Sequence, residues 1–232
     1  MKISFVIPSY NSAAWLSQAV QSVLEQTHKD IECVVVDDAS TDSTPDYLAW
    51  QVKADTRVKA IRNEKNLGRS ASRNIGNTIS TGDVICVLDA DDLALPRRAA
   101  IVVDKFSKGA QFLYGSAVQM DAIGRSLGEI PADSFNLEKA IERTDNRIVH
   151  STVAYTPEIA KRFPYREGEA ARLGVDDWQQ QIDIASSGVK FDFVSNVLSA
   201  YRVLESGVSH TRNKDEVKAY KAKILESLRQ TA

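Results

Sequence analysis

Short β-branched runs alternate with helical periodicity through the first half of the chain. Ile3–Ile7 is followed by Trp15, Leu16, Ala19, Val20, Val23 and Leu24 on one helical face, and then by Ile31–Val36. This is the signature of a βαβ unit, in which a crossover helix joins two parallel strands. A second crossover follows, with Ser43 as N-cap and Pro45 in the first turn of a helix to about Lys53, then a short strand Val58–Ile61. A third helix, from about Arg69 to Ile79, leads through Thr81-Gly82-Asp83 into the apolar strand Val84–Leu88. The expected fold is α/β: a mainly parallel, doubly wound sheet with helices on both faces. Nothing in the spacing supports the eight strands of a closed barrel.

The second half is less regular. It reads as a helix from about Pro96 to Ser107, a strand Gln111–Val118, a loop and hairpin over Asp121–Asn136 and a strand near Ser151–Tyr155. A helix near Asp177–Ser187, strands Lys190–Val194 and Val197–Val203, and a terminal helix near Lys214–Arg229 complete the pattern. That last helix sets Val217, Tyr220, Ile224, Leu225 and Leu228 on one stripe, opposite Lys214, Lys218 and Arg229. Packing on the body is the favoured reading of this stripe, with peripheral membrane contact as the alternative.

Composition removes several classes. A net charge of −2 and a pI near 6.0 give no global field for nucleic acid. Cys33 and Cys86 lie inside apolar runs and are expected as small core residues of adjacent strands; with three scattered histidines they write no zinc framework. The chain is strand-like from Lys2 onward, and no stretch approaches the ~18 apolar residues of a membrane span. A soluble, cytoplasmic protein is the expectation.

Chemistry concentrates where the strands end. Asp89-Ala90-Asp91-Asp92 follows the fourth strand, Asp37-Asp38 ends the second, and Pro8-Ser9-Tyr10-Asn11 ends the first. Parallel neighbours carry these ends to one edge, which is where open α/β sheets bind ligands. Read alone, Asp89–Asp92 is an acidic turn before a helix, and Asp37-Asp38 a turn. Together, clustered carboxylates call for a divalent cation, and an aromatic ring beside them suits a nucleotide base. Arg69, Arg73 and Asn74 open a helix toward the same crevice. No Gly-Lys-Ser/Thr loop and no Gly-x-Gly-x-x-Gly occurs, so phosphate charge would fall to a metal.

Four motifs now stand in order: Val6-Ile7-Pro8-Ser9-Tyr10-Asn11, Val35-Val36-Asp37-Asp38-Ala39-Ser40-Thr41-Asp42, Asn66-Leu67-Gly68 with Ser72-Arg73-Asn74-Ile75-Gly76, and Leu88-Asp89-Ala90-Asp91-Asp92. In order and spacing the chain strongly resembles family 2 glycosyltransferases, inverting enzymes of the GT-A fold. The resemblance implies one domain over residues 1–232: a nucleotide-binding half (1–92), an acceptor-binding half (93–212) and a C-terminal helix (213–232). It implies a nucleotide-sugar donor, most simply UDP-linked, a glycan or glycolipid acceptor, and transfer of a hexosyl or N-acetylhexosaminyl group in polysaccharide synthesis. Tyr10 matches the aromatic that packs on the base and Asp38 the carboxylate that reads its N–H. Asp91 matches the ligand of Mg²⁺ or Mn²⁺, and Asp89 a ribose or metal-supporting group. Pro8 and Arg73 match motif positions that shape the donor site.

The same resemblance implies a general base in the aspartate of a Glu-Asp pair opening a later helix. Gly174-Val175-Asp176-Asp177-Trp178 supplies it, so Asp177 is the expected base, with Asp176 in place of the usual glutamate. Without the family, Asp176 reads as an N-cap and Asp177 as a first-turn acid favoured by the helix dipole. Tyr201-Arg202-Val203 resembles the closing segment, with Arg202 expected to reach phosphate. Leu204 stands where a histidine commonly follows, and His210 is the expected substitute as a metal or diphosphate contact. Two other classes fit part of the pattern. A phosphoryl-accepting receiver would need a downstream Ser/Thr and Lys at strand ends, which cannot be placed here, and a degenerate, binding-only transferase would release no UDP.

Overall fold

Strand β1 (Ile3–Ser9) runs between β2 (Ile31–Asp37) and β4 (Val84–Val87), parallel to both, with Ile3 opposite Ile31 on one side and Val84 on the other. The computed structural model describes residues 1–137, 140, 148–205, 207 and 212–231. Outside β2 lies β3 (Val58–Arg62), so the first four strands stand in the order β3-β2-β1-β4, all parallel, as the alternating pattern requires. Their crossovers are helices α1 (Leu16–Leu24), α2 (Thr44–Ala54) and α3 (Arg69–Ile79).

Past β4 come β5 (Leu93–Ala94), α4 (Arg98–Phe106), β6 (Phe112–Met120), β7 (Ser126–Ile130), a 3₁₀ turn at His150–Thr152 and β8 (Ala154–Tyr155). Helices α5 (Pro157–Arg162), α6 (Glu169–Leu173) and α7 (Asp176–Ser186) follow, then β9 (Phe191–Arg202) and α8 (Lys214–Thr231). The sheet continues from β4 through β8, β6 and β9 to β5, with β7 hairpinned on β6. Here it is mixed: β6 and β9 are parallel, whereas β8, β5 and β7 pair antiparallel.

Both faces are covered, as a sheet buried on both sides demands. One core joins Phe5, Ile7, Cys33 and Val35 to Leu16, Val20 and Val23 of α1, Leu48 of α2 and Val102 of α4. The other joins Val6, Val34 and Ile85 to Ile159 of α5 and Ile184 of α7. On this second face α3 comes close because Gly76 has no side chain; a Cβ there would stand 2.4 Å from Val6 Cγ1. Cys33 and Cys86 are buried and reduced, but not on adjacent strands: each pairs in register with Phe5, and β1 separates them.

Three expectations are corrected. The strands Lys190–Val194 and Val197–Val203 are one strand, β9, whose register against β6 jumps from Val194 to Val197 and again past Leu198. Bulges absorb the polar pair Ser195-Asn196, and Leu198 folds over Gly115, where a Cβ would meet it at 2.6 Å. Ser43 holds the N-cap position but makes no capping bond; Asp42 Oδ1 accepts from Thr44 N at 3.0 Å instead. The strand expected over Ser151–Tyr155 keeps only Ala154–Tyr155. Before it the chain forms the 3₁₀ turn, with Thr152 N on Val149 O and Val153 N on His150 O, and the fully buried guanidinium of Arg98 donates to the carbonyls of Val87, Ser151 and Val153.

The apolar stripe of α8 packs inward, as favoured from the sequence. Val217 and Leu225 are buried with Trp178, Ile182 and Leu173, and Tyr220, Ile224 and Leu228 lie against them. Arg229, expected on the opposite face, lies outside the residues whose side chains are described. No described helix is long and apolar enough to cross a membrane.

The edge of the sheet opposite the strand ends is pinned by a charge. Glu32 is 2% exposed and accepts from Ser4 Oγ, Thr81 N, Thr81 Oγ1 and Lys2 Nζ, with Lys59 Nζ at 2.8 Å. Burial pushes its carboxyl up, but the two ammonium groups and the hydroxyl and amide donors outweigh it and hold it well below the usual carboxylate range. A depressed folded value stabilises above the unfolded one and is lost as pH falls through the acid range. Glu32→Gln is therefore expected to lower stability by about 2 kcal/mol at pH 7. The difference from wild type should shrink below about pH 4, as urea unfolding at both pH values would show.

Candidate active site

The ends of β1 and β2 are sewn together before they meet any ligand. Asp38 N donates to Ser9 O at 2.8 Å, Asn11 N to Ser40 Oγ at 2.9 Å and Thr41 N to Asn11 Oδ1 at 2.8 Å. Asn11 and Ala39 both adopt positive φ, 48° and 62°, a cost that clusters at functional rims. Pro8 sits within β1 in register with Val36, and Tyr10, just past the strand end, leaves half its ring in solvent.

Asp38 points the other way. It is 3% exposed; its Oδ1 accepts from Asn63 Nδ2 (2.7 Å) and Leu67 N (2.8 Å), and its Oδ2 from Gly68 N (2.7 Å). It thereby shapes the loop that delivers α3 through Gly68 at φ 88°. Asn63, which shares this carboxylate, carried no signal in the sequence.

Asp89, Asp91 and Asp92 divide sharply. Asp89 receives Arg73 Nη2 at 2.7 Å, and although burial pushes its carboxyl up, the guanidinium wins and holds it low. Asp92 is fully buried and shares a hydrogen bond with the Ser151 hydroxyl while accepting from Arg202 N at 2.7 Å; burial and the charges of Asp91 and Asp89 raise it far above the carboxylate range. Between them Asp91 is partly exposed. Burial, with Asp89 beside it, pushes its carboxyl up to about 6.

An ionised Asp91 is therefore held against its preference, and a cation would relieve it. Among the described residues no three His, Cys, Asp or Glu side chains gather into a full metal cage. Mg²⁺ and Mn²⁺ are commonly held by one or two carboxylates, with phosphate and water oxygens completing the shell. The residues present fit such an ion: Asp91 as ligand, Asp89 beside it.

Arg73 joins this cluster to α7. Its Nη1 donates to Asp176 Oδ2 at 2.8 Å, and Asp176 also receives Ser70 Oγ at 3.0 Å and pairs with Arg69 Nε at 3.2 Å. Asp176 is thus not an N-cap: Val175 holds that position, and the Asp176 side chain turns across to α3. Asp177, next in the first turn, stays partly exposed, with Trp178 N donating to its Oδ1 at 2.7 Å. The base candidate thus follows directly on the residue that shares one guanidinium with Asp89. Behind them His150 Nε2, Tyr165 Oη and Tyr155 Oη form a buried chain at 3.0 Å per link, with Arg73 stacked 5.3 Å above Tyr165. Burial and the Arg73 charge push His150 down to about 3, so it is neutral.

A comparison of sequences settles the family. The profile of Glycosyl transferase family 2 matches residues 4–161, more than half of the chain. The chain belongs to glycosyl transferase family 2.

An uncharacterized glycosyltransferase of Methanocaldococcus jannaschii is 28% identical over 208 residues, 87% of this chain and 70% of that protein. The succinoglycan biosynthesis protein ExoO of Rhizobium meliloti is 26% identical over 94% of this chain and 65% of its own length. An uncharacterized glycosyltransferase of Nostoc sp. reaches 44% over 107 residues, where the chain spans only 33% of the relative. Among solved structures, S. aureus TarS 1-349 in complex with UDP-GlcNAc superposes with a TM-score of 0.72 at 18% identity, covering 98% of this chain and 66% of that one. The mannosyltransferase PcManGT from Pyrobaculum calidifontis, in complex with GDP-Man and Mn²⁺, gives 0.68 at 18% identity over 89% of this chain and 58% of that one. The likeness establishes the GT-A fold for this family 2 chain.

One family-derived expectation meets a different geometry. Arg202 does not open toward phosphate: it is 3% exposed, with Nε on Asp91 O, Nη1 on the carbonyls of Asp121 and Ala122, and Nη2 on Gln18 Oε1, its guanidinium lying 4.5 Å over Trp15. In this family 2 chain it is a strut beneath the acidic cluster. His210 lies outside the described residues.

Proposed function

We propose that this family 2 chain is an inverting glycosyltransferase that moves a sugar from a nucleoside diphosphate donor to a hydroxyl of a glycan or glycolipid. The observation that carries this is the carboxylate pair Asp89 and Asp91 past the end of β4, with exposed Tyr10 past the end of the neighbouring strand β1 and the Asp176-Asp177 helix tied to Asp89 through Arg73. A site built for one more cation and a diphosphate has this shape.

Tyr10 offers a ring face for the base. Asp91 would hold Mn²⁺ or Mg²⁺, with Asp89 as ribose-binding or supporting group, and the ion would supply stabilisation of negative charge on the departing diphosphate. Asp177 accepts the proton of the acceptor hydroxyl as its oxygen bonds to the anomeric carbon, while the carbon–oxygen bond to the diphosphate breaks on the opposite face. Asp177 suits this role because it stays partly exposed where its neighbour Asp176 is buried. The UDP-GlcNAc complex of TarS supports a UDP-linked donor, and the GDP-Man and Mn²⁺ complex of PcManGT supports the metal. ExoO, by its name a succinoglycan biosynthesis protein, supports a polysaccharide setting.

The test is a calorimetric screen of UDP-, GDP- and dTDP-sugars with and without Mn²⁺, followed by release of the nucleoside diphosphate from the donor that binds. Metal-dependent binding of one nucleotide class, with release, is the expected result. Binding without release on any acceptor would favour a lectin-like, non-catalytic chain, and no binding at all would overturn the proposal.

A further inference from the structure

The charge that joins α3, the acidic cluster and α7 is buried where a donor-contacting group would be expected to stay open. Arg73 is 5% exposed, and its two terminal nitrogens are divided between Asp89 Oδ1 (2.7 Å) and Asp176 Oδ2 (2.8 Å), carboxylates that belong to different halves of the chain. Asp176, 2% exposed, is gripped from three points on successive turns of one helix, Arg69, Ser70 and Arg73. Asn74 extends the same tie, donating from Nδ2 to Tyr165 O at 2.9 Å and accepting from Tyr165 N at 2.9 Å. One face of α3 thus fastens the segment that leads to the proposed base.

We infer that Arg73 and Asp176 are positioning residues: their buried ion pair, shared with Asp89, sets the first turn of α7, and hence Asp177, in register with the nucleotide edge of the sheet. The inference rests on the proposed role of Asp177 as base. An aspartate side chain is short, so at Asp176 the two helices approach closely enough for Ser70 and Arg73 to bond it at 3.0 and 2.8 Å. Burial then removes the alternative of water: without Arg73, Asp176 keeps only Ser70 and Arg69 at 3.0 and 3.2 Å, and without Asp176, Arg73 keeps Asp89 but no longer reaches α7. The guanidinium also matters by shape, because its planar fork serves two carboxylates at once, which a lysine ammonium does less well. A further consequence concerns order. Anything that occupies Asp89 acts on the group that holds Asp176, so nucleotide and metal at the strand edge are felt at the base helix before an acceptor arrives.

The experiment compares wild type with Arg73→Lys, Arg73→Met and Asp176→Asn in the full chain. Amide hydrogen exchange over residues 175–181 is read first without any ligand, and then with UDP and Mn²⁺. The expected result is exchange on the order of tenfold faster in Arg73→Met and Asp176→Asn than in wild type, with Arg73→Lys intermediate. UDP and Mn²⁺ should slow exchange there in wild type but not in Arg73→Met. Slow UDP release to water from a bound UDP-sugar should fall mainly in kcat, by roughly 10- to 100-fold, with donor KM changed by less than about threefold. Wild-type exchange at 175–181 in a folded Arg73→Met or Asp176→Asn overturns the inference. So does a loss that appears only in donor KM. The ligand-free measurement separates this inference from the proposed function: if no nucleotide binds at all, the exchange comparison still decides whether Arg73 holds the helix. Should Arg73→Met fail to fold, Arg73→Lys and Asp176→Asn carry the same two readouts.

Discussion

Asp177→Asn is expected to leave UDP binding in the presence of Mn²⁺ intact and to cut UDP release from the bound donor by roughly 10²- to 10⁴-fold, the usual contribution of a general base. The substitution is isosteric, and an Asn oxygen can still accept the Trp178 amide that Asp177 Oδ1 receives at 2.7 Å. What disappears is the capacity to take a proton. The fold should change little, since a first-turn acid gains only about 0.3–1 kcal/mol from the helix dipole. Calorimetry with UDP and Mn²⁺, set beside initial rates, separates the two properties. A variant with wild-type turnover moves the base elsewhere.

The second large effect carries opposite signs for activity and stability. Asp91→Asn should weaken Mn²⁺-dependent nucleotide binding by at least about 10- to 100-fold and abolish turnover with it. Without metal the same variant should be more stable than wild type, by up to about 2 kcal/mol above pH 6. An acid whose folded pKa is raised, here to about 6, destabilises the fold once ionised, and the penalty vanishes in acid. Asp89→Asn is the control. It takes a partner from Arg73, so it should lose stability while Asp91→Asn gains it. Metal-free thermal melts of the two variants, run beside a Mn²⁺ titration, would show whether these carboxylates divide as the geometry says. Equal melting behaviour would contradict that division.

Much of the nucleotide half was readable because its signals are local. Strand ends follow from apolar runs that stop, and parallel neighbours bring those ends to one edge, so Tyr10, Asp38 and the Asp89–Asp92 cluster could be grouped from spacing. The second half resisted because its determinants are long-range. Ser195-Asn196 looks like a turn until β6 is there to receive a bulge, and the start of the expected strand is instead a 3₁₀ turn at His150–Thr152 whose Ser151 carbonyl accepts from the buried Arg98. Side-chain direction was the least legible property. Asp38 and Arg202 have the right residue types on the right elements, yet one faces the Asn63–Gly68 loop and the other four carbonyl and amide oxygens. Periodicity assigns a residue to a strand end, but not which of two neighbours its charge will satisfy.

The clasp between Asp91, Asp92 and Arg202 closes over more than a hundred residues of chain, with Arg202 N on Asp92 and Arg202 Nε on the Asp91 carbonyl. On a ribosome, the acidic motif emerges long before the strand that seats it. The first four strands and their helices can assemble as soon as they are synthesised, whereas a finished donor edge must wait for the last residues of β9. A nascent or truncated chain ending where the family match ends, at residue 161, would carry every motif that identifies it and still lack the strut beneath its acidic cluster.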